Sequence, residues 1–222
     1  TNALAWGVKY REASREVREA QGGMPTLFYP GHEKLKLEAD TIAMVRDWMN
    51  RPSAQFPPSA FLEEARKIAA TCHADVNIFT GDNLKKAFPA LGVISNSKQD
   101  ASFMINLKWG QSHHPRLSLV GKGLFCCDNP LLSGQLAQCF DFSGKAMGGA
   151  AHILGLARMV MISKMPVQLD VWISAIAHDR QRVDYSPGDI FPTRKGLFVE
   201  VNNIEDMDSR LAMVDALAVA QE

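Results

Sequence analysis

Apolar residues in the first half of the chain recur at intervals of three and four. Leu35, Ala39, Ile42, Val45 and Met49 fall on one helical face from about residue 33, and Asn50 and Pro52 stop that helix. A proline-rich connector over 52–58 follows. Ser59 is then placed to cap a second helix, with Glu63 and Glu64 near its positive end and Phe61, Leu62, Ala65, Ile68 and Ala69 as its buried stripe. Upstream, residues 11–21 are charged and helix-friendly until Gly22-Gly23, and 27–29 read as a short strand. Beyond residue 75 the apolar runs shorten. Residues 76–79, 103–109, 117–120 and 197–201 read as strands, with a short helix over 84–88 ended by Pro89. A helix is predicted over 145–163, with Met147, Ala151, Leu154, Arg158 and Met161 on one face. Pro166 separates it from 167–176, an apolar run typical of a strand buried on both faces. A last helix spans 209–220. This alternation predicts an α/β fold, a sheet covered by helices on both faces.

The stretch from Val120 to Ala151 interrupts the pattern. It opens with Val120-Gly121-Lys122-Gly123 at a strand end and closes with Met147-Gly148-Gly149-Ala150-Ala151 at a helix head. Cys126, Cys127, Asp128 and Asp141 lie between. Glycines beside a lysine let backbone approach a ligand closely. Small residues opening a helix do so from the other side, with free N–H groups that attract negative charge. Spacing alone leaves two readings open: a binding site, or a glycine-rich segment that lets strand and helix pack tightly.

Composition narrows the classes. A chain of 222 residues can bury one sizeable core. Its 24 Lys+Arg are balanced by 24 Asp+Glu, so it lacks the basic excess of a nucleic-acid binder and no nucleic-acid partner is expected. No apolar run approaches the ~20 residues of a membrane-spanning helix, and the first residues lack the pattern of a signal peptide. Cys72, Cys126, Cys127 and Cys139 show no C-x-x-C spacing. Free thiols are expected, in a reducing compartment such as the cytoplasm or the mitochondrial matrix.

Several polar groups are candidates for chemistry. His113-His114 precede a proline in a polar loop with no third metal ligand at helical or hairpin spacing, which favours solvated loop histidines. His73 and His152 are placed to pack or cap. Gly121-Lys122-Gly123 is no phosphate loop, since the upstream glycine and the following Ser/Thr are missing. The acidic cluster Glu205-Asp206-x-Asp208-Ser209-Arg210 lies ahead of the last helix, at what would be the carboxyl edge of the sheet. Its carboxylates could hold divalent cations and Arg210 an oxyanion. Without further context, acidic residues at a helix N-terminus are read first as serving the helix dipole.

Taken together, Val120-Gly121-Lys122-Gly123, Met147-Gly148-Gly149-Ala150-Ala151, Pro187-Gly188-Asp189-Ile190, Val199-Glu200-Val201, Asp206-x-Asp208-Ser209-Arg210-Leu211 and Asp215-Ala216-Leu217 resemble, in order and spacing, the catalytic domain of leucine aminopeptidases (cytosol aminopeptidases). Val45-Arg46-Asp47-Trp48-Met49-Asn50-Arg51-Pro52 is similar to that family's R-D-L-V-N-x-P helix end. The resemblance runs from about residue 4 to the end. It implies a mixed, mostly parallel sheet with helices on both faces, a hexamer, and a two-metal site that removes N-terminal amino acids from peptides. It further implies metal ligands at Lys122, Asp128, Asp206 and Asp208, and a bicarbonate-holding arginine at Arg210.

The chain departs from that pattern. Asp128 stands one residue late and is followed by Asn129-Pro130 where the family has glycines. Asp208 replaces a glutamate, Ala146 stands where D-M-G-G needs an aspartate, and the polarising lysine falls near Gln135. The expectation is a truncated, degenerate relative. Residues 1–31 would be a remnant of an N-terminal domain or a linker, and 32–222 a partial catalytic domain. Its expected role is that of a non-catalytic structural subunit holding no cofactor, or a weakly bound divalent metal. The alternative is a working aminopeptidase with zinc or manganese acting on peptide substrates. Expected partners are other protein subunits or copies of the chain itself. The last helix, with Leu211, Met213, Val214, Leu217 and Val219, is too apolar to be solvated on all sides, and it or the sheet edge beside it is expected to dock against another chain or against further residues of its own.

Overall fold

The computed structural model describes residues 33–51, 55–95, 102–126, 147–178, 185–202 and 204–222, with the backbone alone at 126, 178 and 204–210. The elements are α1 (Glu33–Asn50), α2 (Pro58–Cys72), β1 (Asp75–Phe79), α3 (Gly81–Ala87), α4 (Pro89–Ile94), β2 (Phe103–Trp109), β3 (Arg116–Cys126), α5 (Gly148–Ile162), β4 (Gln168–His178), β5 (Ile190–Pro192), β6 (Phe198–Glu200) and α6 (Ile204–Ala220). The expected helix over 11–21 and strand over 27–29 lie outside the described residues.

Four strands form one sheet in the order β1-β2-β4-β3. β3 and β4 are parallel, in register from Arg116↔Gln168 to Cys126↔His178. β2 runs antiparallel to both β4 and β1. Three strands, β1, β3 and β4, therefore share one direction, as the expectation of a mixed, mostly parallel sheet requires. Alternation along the strands divides the core. Phe103, Ile105, Leu107, Leu169, Val171, Ile173 and Ala175 pack beneath α1, α2 and α5. Met104, Val120, Leu124, Trp172 and Ile176 pack beneath α3, α4 and α6. Aromatic contacts knit the first layer, with Phe61 set 5.9 Å from Trp48 and 5.6 Å from Phe125, centroid to centroid. Each fully buried side chain of this size contributes about 1.5–3 kcal/mol.

α6 is covered by the chain's own sheet. Leu211, Ala212 and Ala216 are buried against the second layer, and among the described side chains of the helix Leu217 is the one large apolar residue that is exposed. Its carboxyl end is tied to the start of β3, where Arg116 Nη2 and Ser118 Oγ donate to the Ala220 carbonyl. Asp215 is 1% exposed and fixes its middle. One carboxylate oxygen accepts from the Ala90 and Leu91 amides at the start of α4, and the other accepts from the Arg194 amide in the β5–β6 turn.

Several expectations need correction. Ser59 does not cap α2: the cap position is Pro57 and Pro58 occupies the first turn, where a missing N–H costs nothing. Pro89 does not merely end a helix but opens α4 by the same logic. β3 continues through Gly121 and Gly123 to Cys126, well past 120, because β4 supplies a ladder partner at each position. The hairpin strand β5 was not anticipated. The acidic cluster is not a linker before the last helix but its first turns, since α6 begins at Ile204.

Candidate functional site

The site grows from the carboxyl end of β3. Leu117, Leu119 and Phe125 join the layer beneath α5, whereas Val120 and Leu124 join the layer beneath α6. Strand alternation thus gives Lys122 to the α6 face. Its register partner on β4 is Ser174. The glycine beside the lysine is required by packing. A Cβ at Gly123 would lie 2.9 Å from both the Ala150 Cβ and the Ser174 carbonyl oxygen. From the helix side, a Cβ at Gly149 would lie 2.9 Å from the Lys122 carbonyl oxygen. The head of α5 therefore rests directly on the Lys122 backbone. The glycines on both sides are thus accounted for by tight strand–helix packing.

α6 brings the second group of residues. Its carboxyl end sits at Arg116 and Ser118, so it runs antiparallel to β3. From Ala220 back to Asp206 the helix rises roughly 21 Å, and from Arg116 to Lys122 the strand rises roughly 20 Å. The first turns of α6, which carry Asp206, Asp208 and Arg210, therefore reach the level of Lys122 at the carboxyl edge of the sheet. The structure describes the backbone of these three residues, and their side chains lie outside the described set, as do Asp128, Gln135, Asp141, Lys145 and Ala146. The amide groups at a helix N-terminus favour the carboxylates that this sequence places in its first turns.

Buried polar groups cluster on the same face. Ser174 Oγ, Trp172 Nε1 and Tyr185 OH are each buried without a hydrogen-bond partner among the described residues. Sequence reasoning missed all three, and missed the role of Asp215. Its one available signal was a carboxylate inside the apolar run Val214-Asp215-Ala216-Leu217.

The donor set can be weighed for the two-metal group that the resemblance implies. Lys122, Asp206 and Asp208 supply an amine and carboxylate oxygens, suitable ligands for zinc or manganese. Ala146, which immediately precedes the described Met147, supplies none. By residue type the set is therefore one carboxylate short of the one that the resemblance implies for a pair of ions.

The remaining candidates are placed elsewhere. His113 and His114 lie in the β2–β3 loop with ring centroids 4.2 Å apart. His73 caps α2 in a left-handed conformation, with φ 55°. His152 Nδ1 lies 2.6 Å from the Gly148 carbonyl oxygen on its own helix. The Cys72 thiol is free, and burial pushes its pKa up, partly countered by the charge of Arg158.

A family model described as the catalytic domain of the cytosol aminopeptidase family matches residues 43–222. The protein named "Probable cytosol aminopeptidase" of Rickettsia canadensis is 29% identical over 192 residues, which cover 86% of this chain and 38% of that protein. The chloroplastic leucine aminopeptidase of Solanum tuberosum is 31% identical over 189 residues, covering 81% of this chain and 33% of that one. The crystal structure of the cytosol aminopeptidase from Coxiella burnetii superposes with a TM-score of 0.81 at 30% identity, over 98% of this chain and 47% of that one. The chain spans less than half the length of each.

Proposed function

The chain belongs to the cytosol aminopeptidase family, and we propose that within it this protein is a non-catalytic, leucine-aminopeptidase-like structural subunit of a larger assembly. The observation that carries this reading is Ala146. It occupies the position from which D-M-G-G would direct a carboxylate toward the metals, three residues before the glycine that touches Lys122. Gln135 in the region of the polarising lysine and the shortened Asp208 point the same way. When bound, a metal pair in this family supplies a polarised carbonyl and an activated water. Losing one ligand and shortening another removes orders of magnitude in affinity, by comparison with the 10–100-fold lost when only an outer-shell partner is changed.

What remains is a scaffold. The Lys122 strand, the head of α5 and the first turns of α6 still converge, and the resemblance assigns Lys122, Asp128, Asp206 and Asp208 to residual metal binding and Arg210 to an oxyanion. These residues support the second reading, an active two-metal aminopeptidase releasing N-terminal amino acids from peptides. We place residues 32–222 in the catalytic domain and 1–31 before it. The relatives' names, cytosol and chloroplastic, support a reducing compartment. No helix among the described residues is long and apolar enough to cross a membrane.

The test is direct. The purified chain, supplied with zinc or manganese, is expected to show no metal-dependent hydrolysis of leucine-p-nitroanilide and to retain less than one equivalent of metal after desalting. Robust turnover that disappears in Asp206→Ala would overturn this reading in favour of the enzyme.

A further inference from the structure

We draw no further inference here: the strongest candidate, the polar cleft of about 430 Å³ at the amino edge of the sheet where His73, Asp75, Lys108, Arg116 and Asp170 come together beside Glu222, has its one buried carboxylate, that of Asp170, already taken by Asn106 and Arg116, and nothing in the structure shows what covers the cleft in a chain that spans less than half the length of the relatives it matches.

Discussion

Ser174 is fully buried, lies between Met104 of β2 and Lys122 of β3 in the register, and has a hydroxyl with no hydrogen-bond partner among the described residues. A buried unsatisfied hydroxyl costs about 1–3 kcal/mol, and alanine removes the unpaired group while leaving nearly the same volume. Ser174→Ala should therefore stabilise the chain by about 1 kcal/mol, a rise of about 2–4 °C in Tm for a chain of this size. Thermal denaturation of the two proteins checks it, and a lower Tm in the variant would mean that the hydroxyl has a partner in solution. The pairing of Lys122 with Ser174 was not legible in the sequence. The flanking glycines marked Lys122 as a residue at a close backbone approach, but only strand register tells which face it belongs to and what stands beside it. Ala146 and Gln135 are the converse case. Their meaning comes entirely from motif comparison, and no periodicity would have singled out an alanine or a glutamine.

Elements were legible in proportion to how local their causes are. α1, α5 and β2 follow from apolar period and end close to where the sequence places them. The ends that depend on tertiary partners were displaced. β3 runs through two glycines because β4 and the head of α5 leave no room for side chains there, and α4 opens on a proline that reads locally as a stop. Asp215 belongs to the same class of cause. Its carboxylate accepts three backbone N–H bonds, from Ala90, Leu91 and Arg194, and so joins α6, α4 and the β5–β6 turn. Hydrogen bonds to a charged group contribute about 1.5–3 kcal/mol each, and they are not additive. Asp215→Ala leaves three buried or part-buried donors without an acceptor. We expect a loss of about 3–5 kcal/mol in urea unfolding. Asp215→Asn keeps an acceptor for one side only and should fall between the two. The exposed Arg194–Glu222 pair beside it is bidentate, and the side-chain hydrogen bond from Arg194 holds the Glu222 carboxyl below the usual carboxylate range. That pair is too solvated to carry comparable weight.

At the scale of the whole molecule, one sheet carries two differently built faces. The lining of β4 is apolar toward α1, α2 and α5, and that side depends on none of the residues assigned to a metal. The site depends instead on what lies at the carboxyl edge, on β3 and α6. The corollary can be measured on β4 itself. Val171 is 0% exposed, paired with Leu107 on one side and Leu119 on the other. An aspartate there would be a buried carboxylate without a counter-ion in the apolar layer, at a cost of several kcal/mol. Total stability for a domain of this kind is roughly 5–15 kcal/mol, so Val171→Asp should leave the chain unfolded or aggregated at room temperature. Leu217 on α6 is equally apolar but 46% exposed. Leu217→Asp should shift stability by no more than about 0.5 kcal/mol. Far-ultraviolet circular dichroism and urea unfolding of the pair separate burial from hydrophobicity as the cause. A cooperatively folded Val171→Asp protein would place the strand somewhere other than the centre of the sheet. If it unfolds while Asp206→Ala keeps a wild-type unfolding curve, the scaffold and the metal edge are separable, as a structural subunit in an enzyme family requires.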